Sequence, residues 1–217
     1  MKIAMIGAGF VSQAVARLAI AHGHEVMVSN SREPKTLFSL GYGLGCRTGT
    51  AEDAAVFGEV VLVAVPLSAI GDLPAAALAG KIVMDANNYY PQRDGQIPAL
   101  DARETTTSQM LARELPDARI VKAFNAIEAR DLVKDARPAG ASDRRALPVA
   151  GDDAEAKRIV IALIEQLGYD AVDAGALEDS WRFERDKPAY CIPFDPEGLR
   201  KALAAAERDV EVPRERR

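Results

Sequence analysis

Two short stretches near the start of the chain carry residue types and spacing suited to holding an anion. Gly7-Ala8-Gly9-Phe10-Val11-Ser12 follows a Gly-x-Gly-x-x-Ser pattern, and Asn30-Ser31-Arg32 stands one strand further on. Gly7 permits a tight turn, Gly9 lets the main chain come close to a bound group, and Ser12 is small enough to keep a following helix against its strand. A helix opening at this point offers unpaired N–H groups and a positive dipole end, which suits a pyrophosphate. In the second stretch Arg32 can take a phosphate bidentately, Ser31 adds a hydroxyl, and Lys35 adds a second positive charge. No carboxylate stands beside Asn30, where one would bind a ribose 2′-hydroxyl and repel a 2′-phosphate. Either stretch alone is compatible with an ordinary surface turn. Together, at the right separation, they read as a dinucleotide site that takes NADP(H).

The elements that must position these residues follow from periodicity. Lys2–Ile6 is a buried strand by pattern, running into Gly7. Phe10–Ala21 is helical, with Val11, Ala14, Val15, Leu18 and Ala19 on one face, and Gly23 suits its left-handed cap. Glu25–Ser29 is a second strand, completing a βαβ unit. The alternation continues. A weak strand is expected over Leu44–Arg47, a helix over Ala51–Phe57, a strand over Val60–Val65 and a broken helix over Leu67–Leu78. Then come a strand over Lys81–Ala86, a long polar loop over Tyr89–Glu104, a helix over Thr106–Leu115 and a strand over Arg119–Phe124. Leu147–Ala150 and Tyr169–Asp173 are expected strands on either side of an amphipathic helix over Ala154–Leu167. A terminal helix is expected over Pro196–Val210, with a charged, frayed end at Arg214–Arg217. This order predicts an α/β fold, a Rossmann-type doubly wound and mostly parallel sheet with a small C-terminal extension. The polar segment Ile127–Arg145 marks an exit from the nucleotide-binding core. Residues 1–182 are expected to form the NADP-binding domain and 183–217 the extension.

Ligands in such sheets lie beyond the carboxyl ends of the strands. Val65-Pro66, Asn87-Asn88 and Ala123-Phe124-Asn125 fall there. Pro66 offers a rigid apolar wall, and the asparagines offer neutral donors and acceptors suited to a carboxamide. Each asparagine is also a common turn-former at a strand end. Lys122 lies within a strand beside this edge and its sequence position leaves its direction open. No acid–base set is visible, so no catalytic residue is assigned. Hydride exchange between two bound rings needs little beyond proximity and orientation, and that favours a planar acceptor. Tyr89, Tyr90, Trp181, Phe183 and Tyr190 are candidate stacking surfaces, or ordinary packing. A non-catalytic NADP(H) sensor stands as an alternative. So does a small imine or carbonyl reductase, which would need a proton donor such as Tyr90 or Asp85.

The 217 residues are 48% hydrophobic and 27% charged, a globular balance, and the net charge of −5 argues against nucleic acid as a partner. Cys46 and Cys191 stand in unrelated contexts, and His22 and His24 share one loop, so no metal site is expected. The longest apolar run, Val60–Ile70, is interrupted by Pro66 and is too short to span a bilayer, and no leader pattern precedes Lys2. The expectation is a cytoplasmic protein with no membrane partner.

Several runs resemble the F420-dependent NADP oxidoreductase family. They are Ile6-Gly7-Ala8-Gly9, Gly23-His24-Glu25-Val26, Asn30-Ser31-Arg32 and Val63-Ala64-Val65-Pro66. Asp85-Ala86-Asn87-Asn88, Val121-Lys122-Ala123-Phe124-Asn125, Val149-Ala150-Gly151-Asp152-Asp153 and Asp173-Ala174-Gly175-Ala176-Leu177 are similar to a branch of it, the cytoplasmic reductase domains of the six-transmembrane metalloreductases. The resemblance implies NADP(H) binding, hydride transfer to a flavin or to the deazaflavin F420, and a homodimer. It implies that Ala8, Gly9, Phe10 and Val11 cradle the pyrophosphate and that Ser31 and Arg32 hold the 2′-phosphate. Pro66, Asn87, Ala123 and Asn125 would surround the nicotinamide. The chain departs from the F420 enzymes at Phe10, where they commonly carry a polar residue, and in ending its fifth strand on Asp-x-Asn-Asn.

Overall fold

A computed structural model describes residues 1–212. It contains one eight-stranded sheet: β1 (Lys2–Ile6), β2 (Glu25–Ser29), β3 (Arg47–Gly49), β4 (Val60–Val63), β5 (Ile82–Asp85), β6 (Arg119–Lys122), β7 (Ala146–Gly151) and β8 (Asp170–Asp173). The spatial order is β3-β2-β1-β4-β5-β6-β7-β8. The first six strands run parallel, β7 is antiparallel to β6, and β8 is parallel to β7. The order 3-2-1-4-5-6 is that of a dinucleotide-binding Rossmann sheet, with its switch point between β1 and β4. The expected α/β, mostly parallel architecture is therefore what the chain adopts.

The central strands are covered on both faces, which is why they read as unbroken apolar runs. Residues 3–6 of β1 and all of β4 and β5 are buried. One core layer packs Ile3, Met5, Leu62 and Met84 against Val15 and Leu18 of the first helix, α1 (Phe10–Ala21). The other packs Ala4, Ile6, Val61, Val63 and Val83 against Ala54, Leu78 and Leu111. A third cluster joins Ala146, Ala150 and Val172 of β7 and β8 to Phe183, Leu199 and Leu203.

Several boundaries differ from expectation, each for a local reason. Leu44 ends a helix over Phe38–Leu44 instead of opening a strand, because Gly45 takes a left-handed conformation (φ 71°) and caps it. β3 follows at Arg47–Gly49. The Tyr89–Glu104 segment is not structureless. It holds two single helical turns, Pro91–Asp94 and Pro98–Asp101, each opened by proline at its first turn. The last helix stops at Ala204, short of Val210. The chain beyond it is gripped by Lys187, whose Nζ donates to the carbonyls of Glu207, Arg208 and Val210 at 2.8, 2.8 and 2.7 Å. Those carbonyls are thereby withdrawn from helical pairing. The charged end at Arg214–Arg217 lies outside the described residues. His22 and His24 sit at the far end of α1, where His24 Nε2 meets Gln166 at 3.1 Å, away from the carboxyl edge of the sheet.

Candidate functional site

The carboxyl ends of the central strands are level. Ile6 pairs with Ser29 and Val63, Val63 with Asp85, and Asp85 with Lys122. The residues after those ends therefore share one edge, and the turn at Gly7 opens onto it. Gly7 N–H donates to Ser29 O at 3.1 Å, and φ at Gly7 is +105°. A Cβ there would fall 2.3 Å from Ala64 O, so only glycine fits between β1 and β4. At Gly9 the situation is reversed: a Cβ would meet no atom within 4 Å. Gly9 is thus not required by packing. It leaves an open cradle beside the first turn of α1, which has no side-chain cap and no acidic residue. The leading N–H groups of a helix lack intrahelical partners, so such a cradle suits a pyrophosphate. Phe10 is 82% exposed and Val11 half-buried, so only the main chain of Phe10 faces this turn without packing of its own. Ser12 is fully buried at the third fingerprint position, its hydroxyl without a partner.

At the end of β2, Asn30 shapes the turn. Its Oδ1 accepts from Arg32 N–H at 3.0 Å and its Nδ2 donates to Thr36 Oγ1 at 3.1 Å. Both ends of its amide are committed. Ser31 and Arg32 are exposed, and Arg32 Nη and Nε atoms make no hydrogen bond or ion pair among the described residues. Lys35 differs from expectation: it is ion-paired with Glu33, and both side chains are largely exposed. Its charge is not free to the site, although an exposed pair of this kind holds it weakly.

The other end of the edge is polar and buried. Lys122 faces inward and is fully buried, as is Asp85. Its Nζ donates to Asp85 Oδ2 at 3.1 Å, to Thr107 Oγ1 at 2.8 Å and to the carbonyl of Asn87 at 2.5 Å. Asp85 also accepts from Ser108 Oγ (2.5 Å) and from Asn87 N–H (2.9 Å). Thr107 and Ser108 are presented by the Thr107–Glu114 helix, whose start is fixed by a Thr106–Gln109 capping box. Asn87 Oδ1 accepts from Val65 N–H at 2.8 Å, while its buried Nδ2 has no partner. Asn125 Nδ2 donates to Asn88 Oδ1 (3.2 Å) and Phe183 O (3.0 Å), while its buried Oδ1 has none. Phe124, between Ala123 and Asn125, holds φ +60°, a conformation non-glycine residues rarely adopt. It turns the chain at the end of β6 so that Asn125 returns toward Phe183.

Next to this edge lies a cleft of about 220 Å³, lined among others by Tyr89, Leu100, Arg103, Trp181, Glu184 and Arg208. Glu184 ties it to the buried network, accepting from Thr107 N–H (2.9 Å) and Oγ1–H (2.8 Å). The Trp181 ring is approached by Arg182, Arg208 and Lys187 at 4.7, 5.3 and 5.6 Å. Of the aromatic residues singled out in the sequence, Tyr89 and Trp181 line the cleft, whereas Phe183 is core. Tyr90 and Tyr190 join their hydroxyls at 2.7 Å, and burial pushes the Tyr190 phenol far above its ordinary range.

Thr107, Ser108 and Glu184 carry no signal of this role in the sequence. The one local cue is the Thr106-x-x-Gln109 pattern, which marks a helix start and says nothing of what that helix faces. Among the described residues no group of three or more His, Cys, Asp or Glu is placed to hold a metal, and no helix is long and apolar enough to cross a membrane.

The geometry can be set beside known proteins. A family model described as NADP oxidoreductase coenzyme F420-dependent matches residues 2–89. The chain is 30% identical to metalloreductase STEAP3 of Rattus norvegicus, over 88% of this chain and 38% of that protein. It is 31% identical to the F420-dependent NADP reductase of Methanocaldococcus jannaschii, over 63% of this chain and 62% of that protein. It thus spans less than two thirds of the length of these curated relatives. A solved structure of a candidate F420-dependent NADP-reductase from Arthrobacter sp. FB24 superposes with a TM-score of 0.69 at 31% identity, covering 82% of this chain and 86% of that one.

Proposed function

Since the chain belongs to the F420-dependent NADP oxidoreductase family, we propose that it is an NADP(H)-dependent oxidoreductase that moves a hydride between NADPH and a planar acceptor, a flavin or a deazaflavin such as F420. The observation that carries the reading is the pair of buried, unsatisfied amide atoms at the carboxyl edge, the donor Asn87 Nδ2 and the acceptor Asn125 Oδ1. Their orientations are fixed by the partners of their opposite ends. A buried polar atom left unpaired costs roughly 1–3 kcal/mol, so such atoms point to a group that completes them. A carboxamide offers one acceptor and one donor, the complement of this pair. The open cradle at Gly9 fits a pyrophosphate, and the turn bearing Ser31 and Arg32 fits a 2′-phosphate.

In this reading Gly7–Val11 hold the pyrophosphate, Ser31 and Arg32 hold the 2′-phosphate, and Val65, Pro66, Asn87, Ala123 and Asn125 enclose the nicotinamide. The dinucleotide supplies the hydride. The chain binds it, orients its reactive ring and keeps water from the buried side. The acceptor lies over the edge, toward the Tyr89–Trp181 cleft. The two candidate proton donors of an imine or carbonyl reductase are poorly suited to that task. Asp85 is sealed in an ion pair with Lys122, and the Tyr90 hydroxyl is engaged with that of Tyr190. A cytoplasmic homodimer completes the proposal, with light scattering in solution as the check on the dimer.

The test is NADPH oxidation with a panel of F420, FMN, FAD, a quinone and a ferric chelate. Turnover with at least one ring acceptor is expected, and none with any member of the panel would sink the proposal. Arg32→Ala is expected to weaken NADP⁺ binding by roughly 1.5–3 kcal/mol, the worth of a charge-assisted hydrogen bond. Its effect on NAD⁺ binding should be negligible. Equal losses for the two cofactors in a calorimetric titration would reject Arg32 as the reader of the 2′-phosphate.

A further inference from the structure

We infer that Lys122, together with its ion-pair partner Asp85, is a positioning residue that acts on the nicotinamide end of the cofactor through Asn87. The assignment rests on the proposed cofactor reading and goes beyond it, because neither charged group is itself open to a ligand.

Asn87 is held at three of its four polar atoms. Its N–H donates to Asp85 Oδ1 at 2.9 Å, its carbonyl accepts from Lys122 Nζ at 2.5 Å, and its Oδ1 accepts from Val65 N–H at 2.8 Å. The fourth, Nδ2, is buried and unpartnered. The two main-chain grips come from the two ends of one ion pair, so the peptide unit of Asn87 cannot rotate without parting Asp85 from Lys122. A buried pair is often replaceable by apolar residues without loss of stability, so its presence calls for a reason other than stability. Here the reason is geometric. A main-chain donor and a main-chain acceptor on the same residue are both fixed by charged groups that are themselves fully buried. The side-chain amide is thereby locked in direction before any ligand arrives, which lowers the ordering cost of binding. Register makes the lock possible: Asp85 and Lys122 are paired positions on neighbouring parallel strands, so their side chains leave the sheet on the same face. Lys122 is also bonded to Thr107, which donates to the cleft carboxylate of Glu184, so the same ammonium is tied to the wall on the proposed acceptor side.

The experiment titrates two probes, NADPH and 2′-phospho-ADP-ribose, which lacks the nicotinamide, into the native chain, Lys122→Met and Asn87→Ala. The expected result for both variants is about a tenfold loss for NADPH, the scale of one buried hydrogen bond, with 2′-phospho-ADP-ribose unchanged. Because Lys122 works through Asn87, the double variant should lose no more than either single one. Ser108→Ala removes a hydrogen bond from Asp85 while leaving every contact of Asn87, and should bind both probes as the native chain does. Equal weakening of both probes in Lys122→Met would show a structural role only and overturn the assignment. So would additive losses in the double variant. If Lys122→Met does not fold, Asn87→Ala decides alone: unchanged NADPH binding there overturns the assignment. A native chain that binds neither probe would overturn the cofactor reading as well, and turnover with the acceptor panel separates that failure from this one.

Discussion

Gly7→Ala is expected to cost the fold about 3 kcal/mol or more and to abolish NADP⁺ binding, because it combines a backbone conformation closed to alanine with a steric overlap. The φ of +105° is one that residues with a Cβ rarely adopt, and the added Cβ would stand 2.3 Å from Ala64 O and 3.0 Å from its carbonyl carbon. Ala64 cannot easily retreat, since its N–H donates to Ile6 O at 3.0 Å across the β1–β4 pair. The strain therefore falls on the switch point of the sheet. Gly9→Ala is the informative companion. Its Cβ would enter open space, and the backbone at φ −73° suits any residue. Stability should stay within about 0.5 kcal/mol of the native value. NADP⁺ affinity should fall by about tenfold or more as the methyl group fills the cradle where the main chain would approach a phosphate. Urea unfolding and calorimetric titration separate the two effects. Native-like NADP⁺ binding by Gly9→Ala would sink the assignment of the pyrophosphate to this turn.

Asp85→Ala should be the second large effect, a loss of about 3–5 kcal/mol in urea unfolding, because it strands a buried ammonium. Lys122 Nζ, Ser108 Oγ and Asn87 N–H would all lose their acceptor at once. Asp85→Asn keeps an acceptor oxygen in place and should lose less. Lys122→Met combined with Asp85→Leu should recover much of the loss, since the desolvated charges are removed together. An Asp85→Ala protein within about 1 kcal/mol of native stability would mean that water or another acceptor reaches Lys122, contrary to its burial.

Much of the architecture was legible in the sequence because its cues are local. The boundaries of β1, α1 and β2 agree with expectation at Lys2–Ile6, Phe10–Ala21 and Glu25–Ser29. Glycines at Gly7 and Gly23 and a consistent helical stripe mark each end. Misplaced boundaries arose where tertiary partners or a single glycine outweighed an apolar pattern. Gly45 turned Leu44 into the end of a helix, and Lys187 drew the carbonyls after Glu207 out of helical pairing. The site was legible in the same uneven way. Arg32 stands exposed as its position suggests, but Lys35 is occupied by Glu33, its neighbour two residues before. Asn30, read as part of the ligand site, is committed to shaping the turn.

By itself the sequence determined the family, the mostly parallel sheet and an anion cradle followed by a basic, acid-free turn. Each of these depends on residues within a turn or two of one another, where conformation and charge are set by neighbours in the chain. Only the tertiary structure decided which way Lys122 points, that Asp85 meets it, and that Thr107, Ser108 and Glu184 complete the network. Those residues lie on separate strands, a helix and a distant turn. Sheet register and helix packing alone bring them within hydrogen-bond distance, and burial then makes every unpaired atom costly enough to fix the arrangement. The two amide atoms still unpaired, on Asn87 and Asn125, are where that satisfaction stops and a ligand is required.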